Sequence, residues 1–164
     1  MEVEPVTAYL GLGSNLGERR GNLERALEFL SQRLRIERVS SIYDSEPVGN
    51  THQPRFLNLA CQATTTLLPP GLIALAKGIE AKMGRTGGSG VPRLIDIDIL
   101  FYGNQVIKTP ELVIPHPRLT ERAFVLVPLV EIASDFVHPV NGKTVKELLN
   151  ALKEVQGVFK WEGD

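Results

Sequence analysis

The chain has 164 residues, of which 43% are hydrophobic, and its 18 Lys and Arg nearly balance its 19 Asp and Glu. This length suits one globular domain with a real core and is short for two. The formal net charge of −1 predicts no general attraction to nucleic acid or to an anionic membrane, so any anionic ligand has to be held by locally placed cationic side chains.

The N-terminal third of the chain reads as a strand, a helix and a second strand. Residues 6–12 form an apolar strand that runs into a glycine-rich segment, Gly11 to Gly17. Helical spacing follows over about 17–34, and residues 35–43 alternate as in a strand. A glycine-rich link between a strand and a helix favours an anion site, although the glycines could equally serve only a tight turn. The spacing departs from the dinucleotide fingerprint by one residue, and two strands then follow without a helix between them, which excludes a doubly wound fold.

The middle of the chain repeats the pattern. A turn-rich segment over 44–55 leads to a strand over 56–66, and Pro69 and Pro70 stand where a helix over 72–83 would begin. A flexible loop, Thr86 to Gly90, then precedes another apolar strand. The order β-α-β-β-α-β predicts an α+β fold with a ferredoxin-like core, and helices near 125–132 and 145–152 extend it at the C-terminus. Without a repeat or linker, we expect a single domain over 1–164.

Cellular location is constrained by three short segments. The first five residues are acidic and lack the apolar core of a secretory signal, and the apolar window Ala123 to Ala133 is too short to cross a bilayer. Cys61 is the single cysteine and stands in a strand-like segment, which predicts a small buried hydrophobe and not a nucleophile. We expect a cytoplasmic protein.

The strand over residues 93–100 carries two carboxylates in alternating register. Side chains on a strand repeat every two residues, so Asp96 and Asp98 share one face, about 6–7 Å apart, while Ile95, Ile97 and Ile99 share the other. Asp is disfavoured in strands. Magnesium would explain the pair, because it takes carboxylate oxygens and keeps positions for water and phosphate. The alternative is a solvated outer face.

Other polar side chains could bind a phosphorylated or heterocyclic ligand. Arg93 could clamp phosphate bidentately, and His116, held between two prolines, could donate to phosphate. The amide of Asn58 matches the edge of an amide-bearing heterocycle, and Phe56 and Phe124 could sandwich a flat ring. Each also has an ordinary structural alternative, such as a surface ion pair or a core aromatic.

Together these residues resemble the 6-hydroxymethyl-7,8-dihydropterin pyrophosphokinase family over about residues 8–152. The resemblance rests on the order and spacing of several motifs, namely Gly13-Ser14-Asn15-Leu16, Tyr43-Asp44-Ser45-Glu46-Pro47-Val48-Gly49, Phe56-Leu57-Asn58, Glu80 ahead of Gly84-Arg85, Pro92-Arg93-Leu94-Ile95-Asp96-Ile97-Asp98, and Pro115-His116-Pro117 with Arg122 and Phe124. It implies an enzyme of folate biosynthesis that transfers pyrophosphate from ATP to a pterin alcohol, giving AMP.

The resemblance also implies roles for individual residues. Two Mg²⁺ ions would be held by Asp96 and Asp98, which would form the catalytic group with Arg85 and Arg93. The nucleotide side would comprise Lys77, Glu80, Arg85, Arg93, Ile99, His116 and Arg122. The pterin edge would be read by Ser45, Pro47, Val48 and Asn58, with Phe56 and Phe124 stacked on its faces.

One segment departs from the family pattern. The family carries Arg residues and a Trp in the loop before Arg93, whereas Thr86 to Val91 contains neither. We expect a mobile loop on which turnover depends weakly. The resemblance implies ATP and the pterin alcohol as partners, with neither nucleic acid nor membrane, and we expect a monomer that associates at most loosely with other folate-pathway enzymes.

Two other functions stay open on the sequence alone. A non-catalytic ferredoxin-like module could be a sensor or an RNA-binding domain, although RNA binding needs exposed aromatics and a basic sheet face where this chain has carboxylates. A different magnesium-dependent phosphotransferase on the same scaffold would differ only at the residues proposed to read the pterin. Magnesium-dependent ATP binding would argue against the first, and AMP release that requires the pterin alcohol would argue against the second.

Overall fold

The structure, a computed structural model, describes residues 4–46, 54–84, 94–152 and 157–163. Within these ranges the chain forms eight strands and four α-helices. In chain order they are β1 (Val6–Ser14), α1 (Arg19–Ser31), β2 (Arg35–Val39), β3 (Tyr43–Ser45), β4 (Phe56–Thr65), α2 (Pro69–Lys82), β5 (Asp96–Tyr102), β6 (Ile107–Lys108), β7 (Val113–Ile114), α3 (Ala123–Ala133), α4 (Val145–Asn150) and β8 (Val158–Lys160).

Six of these strands form one antiparallel sheet. Its order is β5-β1-β4-β3-β8, and β2 also pairs with β4. β1 therefore lies between β5 and β4, and its residues face partners on both sides. β6 and β7 form a separate two-stranded hairpin. The result is a mixed α/β architecture. Through β5 the observed order of helices and strands differs from the predicted one at one point, where two strands, β2 and β3, replace a single predicted strand.

Each face of the sheet is covered by a different pair of helices. One core joins Leu10 and Ile97 of the sheet to Leu23 of α1 and Leu72 of α2. The other joins the opposite face, including Ala60, to α3 and α4. Because a sheet buries both faces only when each meets an apolar helix stripe, the two helix layers fix which strand residues are covered and which are left for a site.

Residues at the helix N-termini determine where the helices begin. Pro69 and Pro70 occupy the first positions of α2, where a missing N–H costs nothing. α4 opens with a capping box in which Thr144 and Glu147 exchange hydrogen bonds. Gly17 has a φ of +70°, so α1 starts at Arg19 instead of at residue 17. Among the described residues, no helix has the length and apolar character needed to span a membrane.

The strand predicted over 35–43 is wrong as one element, because it is divided at Ser40. The backbone N–H of Ser40 donates to the Ala60 carbonyl at 2.8 Å, but the Ala60 N–H donates to the Ser40 hydroxyl at 2.9 Å and not to a backbone carbonyl. The next strand, β3, begins at Tyr43. Sequence reasoning also missed β8 and the β6–β7 hairpin. These strands have only two or three residues, too short for an alternating pattern to be recognised.

Candidate active site

The two aspartates of β5 lie on one face of the sheet, as predicted. Asp96 and Asp98 are partly exposed, and the side chain of Asp98 retains 37% of its accessible surface. Ile97 and Ile99, which alternate with them, are buried against α1 and α2. We call the face that carries Asp96 and Asp98 the site face. The strand itself begins at Asp96, three residues later than predicted.

The alternation in β5 ends at a bulge. Tyr9 of β1 faces Phe101, but its neighbour Leu10 faces Ile99, so Leu100 is the extra residue. Leu100 and Phe101 consequently pack in the same core on the site face. Bulges often re-aim side chains beside functional sites. This one separates the exposed carboxylates from the apolar end of the strand, which α3 and α4 cover.

Two of the three glycines for which the sequence predicts an anion site do not lie in a loop. Gly11 and Gly13 lie inside β1, and only Gly17 belongs to the turn before α1. Both the anion-loop and the tight-turn interpretations are therefore wrong for these two positions. In the ladder, Gly11 faces Asp98 and Gly13 faces Asp96. The glycines thus place no β1 side chain beside either carboxylate on the site face.

Asn58 lies on the other side of Gly13, on the site face of β4. It is 6% exposed, and its Nδ2 donates a hydrogen bond of 2.6 Å to the Ser45 hydroxyl on β3. Phe56 is two residues away on the same face and pairs with Ser45. The residues predicted to read the pterin edge, Ser45 and Asn58, are therefore brought into direct contact, with Phe56 beside them.

His116 faces the aspartates from the segment before α3. Its Nε2 is 3.9 Å from Asp98 Oδ1, and its Nδ1 accepts a hydrogen bond of 3.2 Å from the backbone N–H of Arg118. Burial lowers the pKa of His116, and the positive charges of Arg122 and Arg118 lower it further, while Asp96 opposes them. The neutral ring therefore carries its proton on Nε2, directed at the carboxylate side.

Arg122 and Phe124 lie at the start of α3. The Arg122 guanidinium carbon is 5.5 Å from the centre of the Phe124 ring, within cation–π range. Phe124 packs against the core that contains Ala60 and Leu100, so it belongs to the site face, as Phe56 does. The sandwich of a flat ring between the two phenylalanines stays a prediction.

Glu80 and Lys77 have different surroundings, although they are one turn apart on α2. Glu80 is 5% exposed, and its Oε2 accepts a hydrogen bond of 2.8 Å from the backbone N–H of Ile97. It therefore supports the outer edge of β5 directly. Lys77 is exposed on the helix surface. Their predicted contacts with a nucleotide stay predictions.

A cavity of about 240 Å³ opens at the outer edge of β5. Its walls are mostly apolar, with Asp98 and His116 at one side, and they include Ile73, Ile97, Ile99, Pro110 and Leu112. The backbone N–H of Ile97 points away from β1, because it donates to Glu80. The direction of the backbone groups repeats every two residues along an antiparallel strand, so the N–H and C=O of Ile99 also point away from β1. The cavity can thus offer both an apolar slot and backbone hydrogen-bonding groups.

Several predicted site residues lie outside the described ranges. They are Pro47, Val48, Arg85 and Arg93, together with the glycine-rich loop over 86–90. Within the described residues, no group of three or more His, Cys, Asp or Glu side chains could hold a metal ion. A pair of carboxylates is nevertheless the usual protein contribution to a magnesium ion that also binds phosphate.

Sequence reasoning missed two features of this region. Gly11 and Gly13 are two residues apart, as Asp96 and Asp98 are. This shared spacing was the signal in the sequence that the glycines and the aspartates face each other on neighbouring strands. Arg55, next to Phe56, ion-pairs with Asp44 and donates a hydrogen bond of 3.1 Å to the carbonyl of Gly157. It joins β3 and β4 to the C-terminal segment, and its partners could not be foreseen without the fold.

Comparison with known proteins identifies relatives of this arrangement. The model of the 7,8-dihydro-6-hydroxymethylpterin-pyrophosphokinase (HPPK) family matches residues 9–134. A 2-amino-4-hydroxy-6-hydroxymethyldihydropteridine pyrophosphokinase of Aquifex aeolicus is 44% identical over 94% of this chain and 98% of its own length. A protein of Bacillus subtilis with the same name is 40% identical over 94% of this chain and 90% of its own.

Longer proteins also match. The folic acid synthesis protein fol1 of Pneumocystis carinii is 40% identical over 87% of this chain, which spans 20% of that protein. A crystal structure of Plasmodium falciparum HPPK-DHPS A437G superposes with a TM-score of 0.76 at 20% identity, over 91% of this chain and 46% of that one. This last likeness concerns the fold alone.

Proposed function

Because this chain belongs to the HPPK family, we propose that it transfers pyrophosphate from ATP to 6-hydroxymethyl-7,8-dihydropterin, releasing AMP, in folate biosynthesis. The observation that carries the proposal is the row formed by Asp96, Gly13 and Asn58 on adjacent strands. It sets a carboxylate site for metal and phosphate beside an amide site for a heterocycle.

The distance across this row suits the reaction. Neighbouring strands are about 4.8 Å apart, so about 10 Å separates the backbones of β5 and β4. A pterin read by Asn58 on β4 can therefore extend its hydroxymethyl arm over β1 toward a phosphate held at Asp96 on β5. Holding both reactants in line is the main requirement of phosphoryl transfer.

The aspartate pair fits magnesium. Asp96 and Asp98 share a face and both are partly exposed, which leaves room for water and phosphate as further ligands. We propose that they hold two Mg²⁺ ions; when bound, these would neutralise the triphosphate and acidify the attacking hydroxyl. The Nε2 of His116 lies 3.9 Å from Asp98 Oδ1 and could donate to a phosphate there, and Arg122 adds positive charge nearby.

For ATP we propose the cavity at the outer edge of β5. Its apolar walls suit an adenine ring, the backbone groups of Ile99 can read the ring's edge, and Asp98 and His116 stand where the phosphates would continue. Glu80 shapes this edge by holding the N–H of Ile97. Lys77, Arg85 and Arg93 are proposed as further contacts of the nucleotide, with Arg85 and Arg93 acting in catalysis.

The pterin would occupy the other end of the row. Asn58, oriented by the Ser45 hydroxyl, reads its amide edge, with backbone groups of Pro47 and Val48 as further proposed contacts. Phe56 and Phe124 stack on its faces. The reaction then forms a bond between the hydroxymethyl oxygen and the β-phosphorus and breaks the bond from the β-phosphorus to the bridging α–β oxygen. That electron pair stays on AMP, and the proton of the hydroxymethyl group is released to solvent.

We also propose the finer features that the resemblance implies. The order β5-β1-β4, followed by β2 and β3 on the far side of β4, supports a ferredoxin-like core within one domain. An active monomer is also proposed. A cytoplasmic location is supported by the need for ATP. Loose association with other folate enzymes is proposed from the longer folate-synthesis relatives.

An assay of AMP release tests the function. With ATP, magnesium and the pterin alcohol, the protein is expected to release AMP and form the pterin diphosphate in equal amounts. Omitting the pterin alcohol or chelating magnesium is expected to abolish release. If ADP were the nucleotide product, transfer of a single phosphoryl group would replace the proposed reaction.

A further inference from the structure

Gly13 is an unusual residue for its position. It is the last residue but one of β1, the strand between β5 and β4, and in a strand glycine costs backbone entropy and contributes no packing. Its φ is not positive, so the backbone conformation does not require glycine. The reason for a glycine here has to be sought in the space around it.

The closest neighbours in that space lie on one side. A Cβ built on Gly13 would lie 3.0 Å from Asn58 Oδ1, 3.4 Å from Phe56 Cδ1 and 3.8 Å from the Leu57 carbonyl oxygen. All three nearest atoms belong to β4. The first distance is too short for an undisturbed contact, so a methyl group would displace the Asn58 amide, which Ser45 otherwise fixes through a 2.6 Å hydrogen bond.

Gly11 provides a contrast on the same strand and face. The three atoms nearest to a Cβ at Gly11 would all belong to the side chain of Leu100, at 3.5 Å or more, which is an ordinary van der Waals distance. The two glycines therefore differ: one tolerates a methyl group, and the other does not without movement of Asn58.

We propose that Gly13 is a positioning and specificity-determining residue for the pterin alcohol, an inference that rests on the proposed function. Without a side chain, it lets the Asn58 amide and the Phe56 ring lie close to β1 and stay in place. The hydroxymethyl arm crosses β1 between Asn58 and Asp96. A side chain at residue 13 disturbs the binding of the pterin and not that of ATP, because the three atoms nearest to it are all on β4.

The test compares Gly13→Ala with the matched variant Gly11→Ala. A shift of the Asn58 amide by a few tenths of an ångström misaligns the hydrogen bonds that it makes to the pterin, so the KM for the pterin alcohol should rise about tenfold in Gly13→Ala. The KM for ATP should stay within about twofold, because ATP is proposed to bind at the opposite edge of β5. Gly11→Ala should leave the KM for the pterin alcohol within about twofold of the wild-type value.

Equilibrium binding gives a readout that does not need turnover. The pterin alcohol is titrated by its fluorescence in the presence of magnesium and α,β-methylene-ATP, whose α–β linkage cannot be cleaved by transfer. Gly13→Ala should weaken this binding by the same factor as the KM. The melting temperature of each variant separates this local effect from a loss of folding.

A double-variant cycle makes the inference specific to Asn58. In an Asn58→Ala background the nearest contact is removed, so adding Gly13→Ala should weaken pterin binding little further. This pair also carries the test if Gly13→Ala alone does not fold. Equal weakening in both backgrounds, or an unchanged KM in Gly13→Ala, would overturn the inference. Failure of the wild-type protein to make AMP would instead contradict the proposed function itself.

Discussion

The carboxylate of Glu80 on α2 accepts a hydrogen bond of 2.8 Å from the backbone N–H of Ile97, the residue between the two aspartates of β5. β5 is the edge strand of the sheet, so this N–H points away from β1. Glu80 therefore satisfies a backbone donor of the strand that carries the proposed metal ligands. It links the packing of a helix to the position of two carboxylates.

Replacing Glu80 tests this link. Glu80→Ala leaves the Ile97 N–H without that acceptor in a buried place, so we expect a loss of about 1–3 kcal/mol in the free energy of unfolding. Glu80→Gln keeps an amide oxygen that can accept the same bond and should recover much of the loss. Guanidinium denaturation of the three proteins measures it. If the alanine and glutamine variants lost equal stability, the accepted hydrogen bond would not be the cause.

Asp96→Ala tests the proposed metal site. We expect kcat to fall by several orders of magnitude, because the charge neutralisation of the triphosphate depends on ions held there. The exposed Asp135, beyond the end of α3, offers a matched control, and Asp135→Ala should retain activity. A loss below about tenfold in Asp96→Ala, equivalent to ~1.4 kcal/mol, would contradict a role in holding metal.

The sequence predicted the parts of this site that depend on local periodicity. The alternation of Asp96 and Asp98 with buried isoleucines follows from the two-residue repeat of a strand, and the structure confirms it. The position of Gly13 between Asp96 and Asn58 depends on the pairing of β1 with strands far away in the chain. The spacing of residues in a sequence does not reveal the register between strands that are distant in the chain. The prediction of a loop at these glycines is therefore wrong.

His138 should make stability depend on pH. It is 7% exposed, and its Nδ1 accepts hydrogen bonds from the N–H groups of Val140 and Asn141. Burial lowers its pKa below the usual 6.5. The unfolded chain therefore binds a proton more readily than the folded one, so stability falls as pH drops through and below this value.

His138→Asn isolates this contribution. The Asn side-chain oxygen can accept from the same N–H groups but does not titrate. The free energy of unfolding should fall less for the variant than for the wild-type protein between about pH 7.5 and about pH 5.5. His116 is present in both proteins, so its contribution to the pH dependence of the free energy of unfolding cancels in the comparison. Parallel pH profiles would show that His138 ionises equally in the folded and unfolded states.

Cys61 should report on opening of the sheet. The side chain is fully buried in β4, and burial raises the pKa of its thiol to about 12. Because only an exposed thiolate reacts with disulfide reagents, labelling of the native protein should be slow and limited by unfolding, whereas denatured protein should react at once. Magnesium with α,β-methylene-ATP should slow labelling further, since a ligand that binds the native state lowers the unfolded population. Cys61→Ala supplies the unlabelled control, and rapid labelling of the native protein would mean that β4 opens without unfolding of the core.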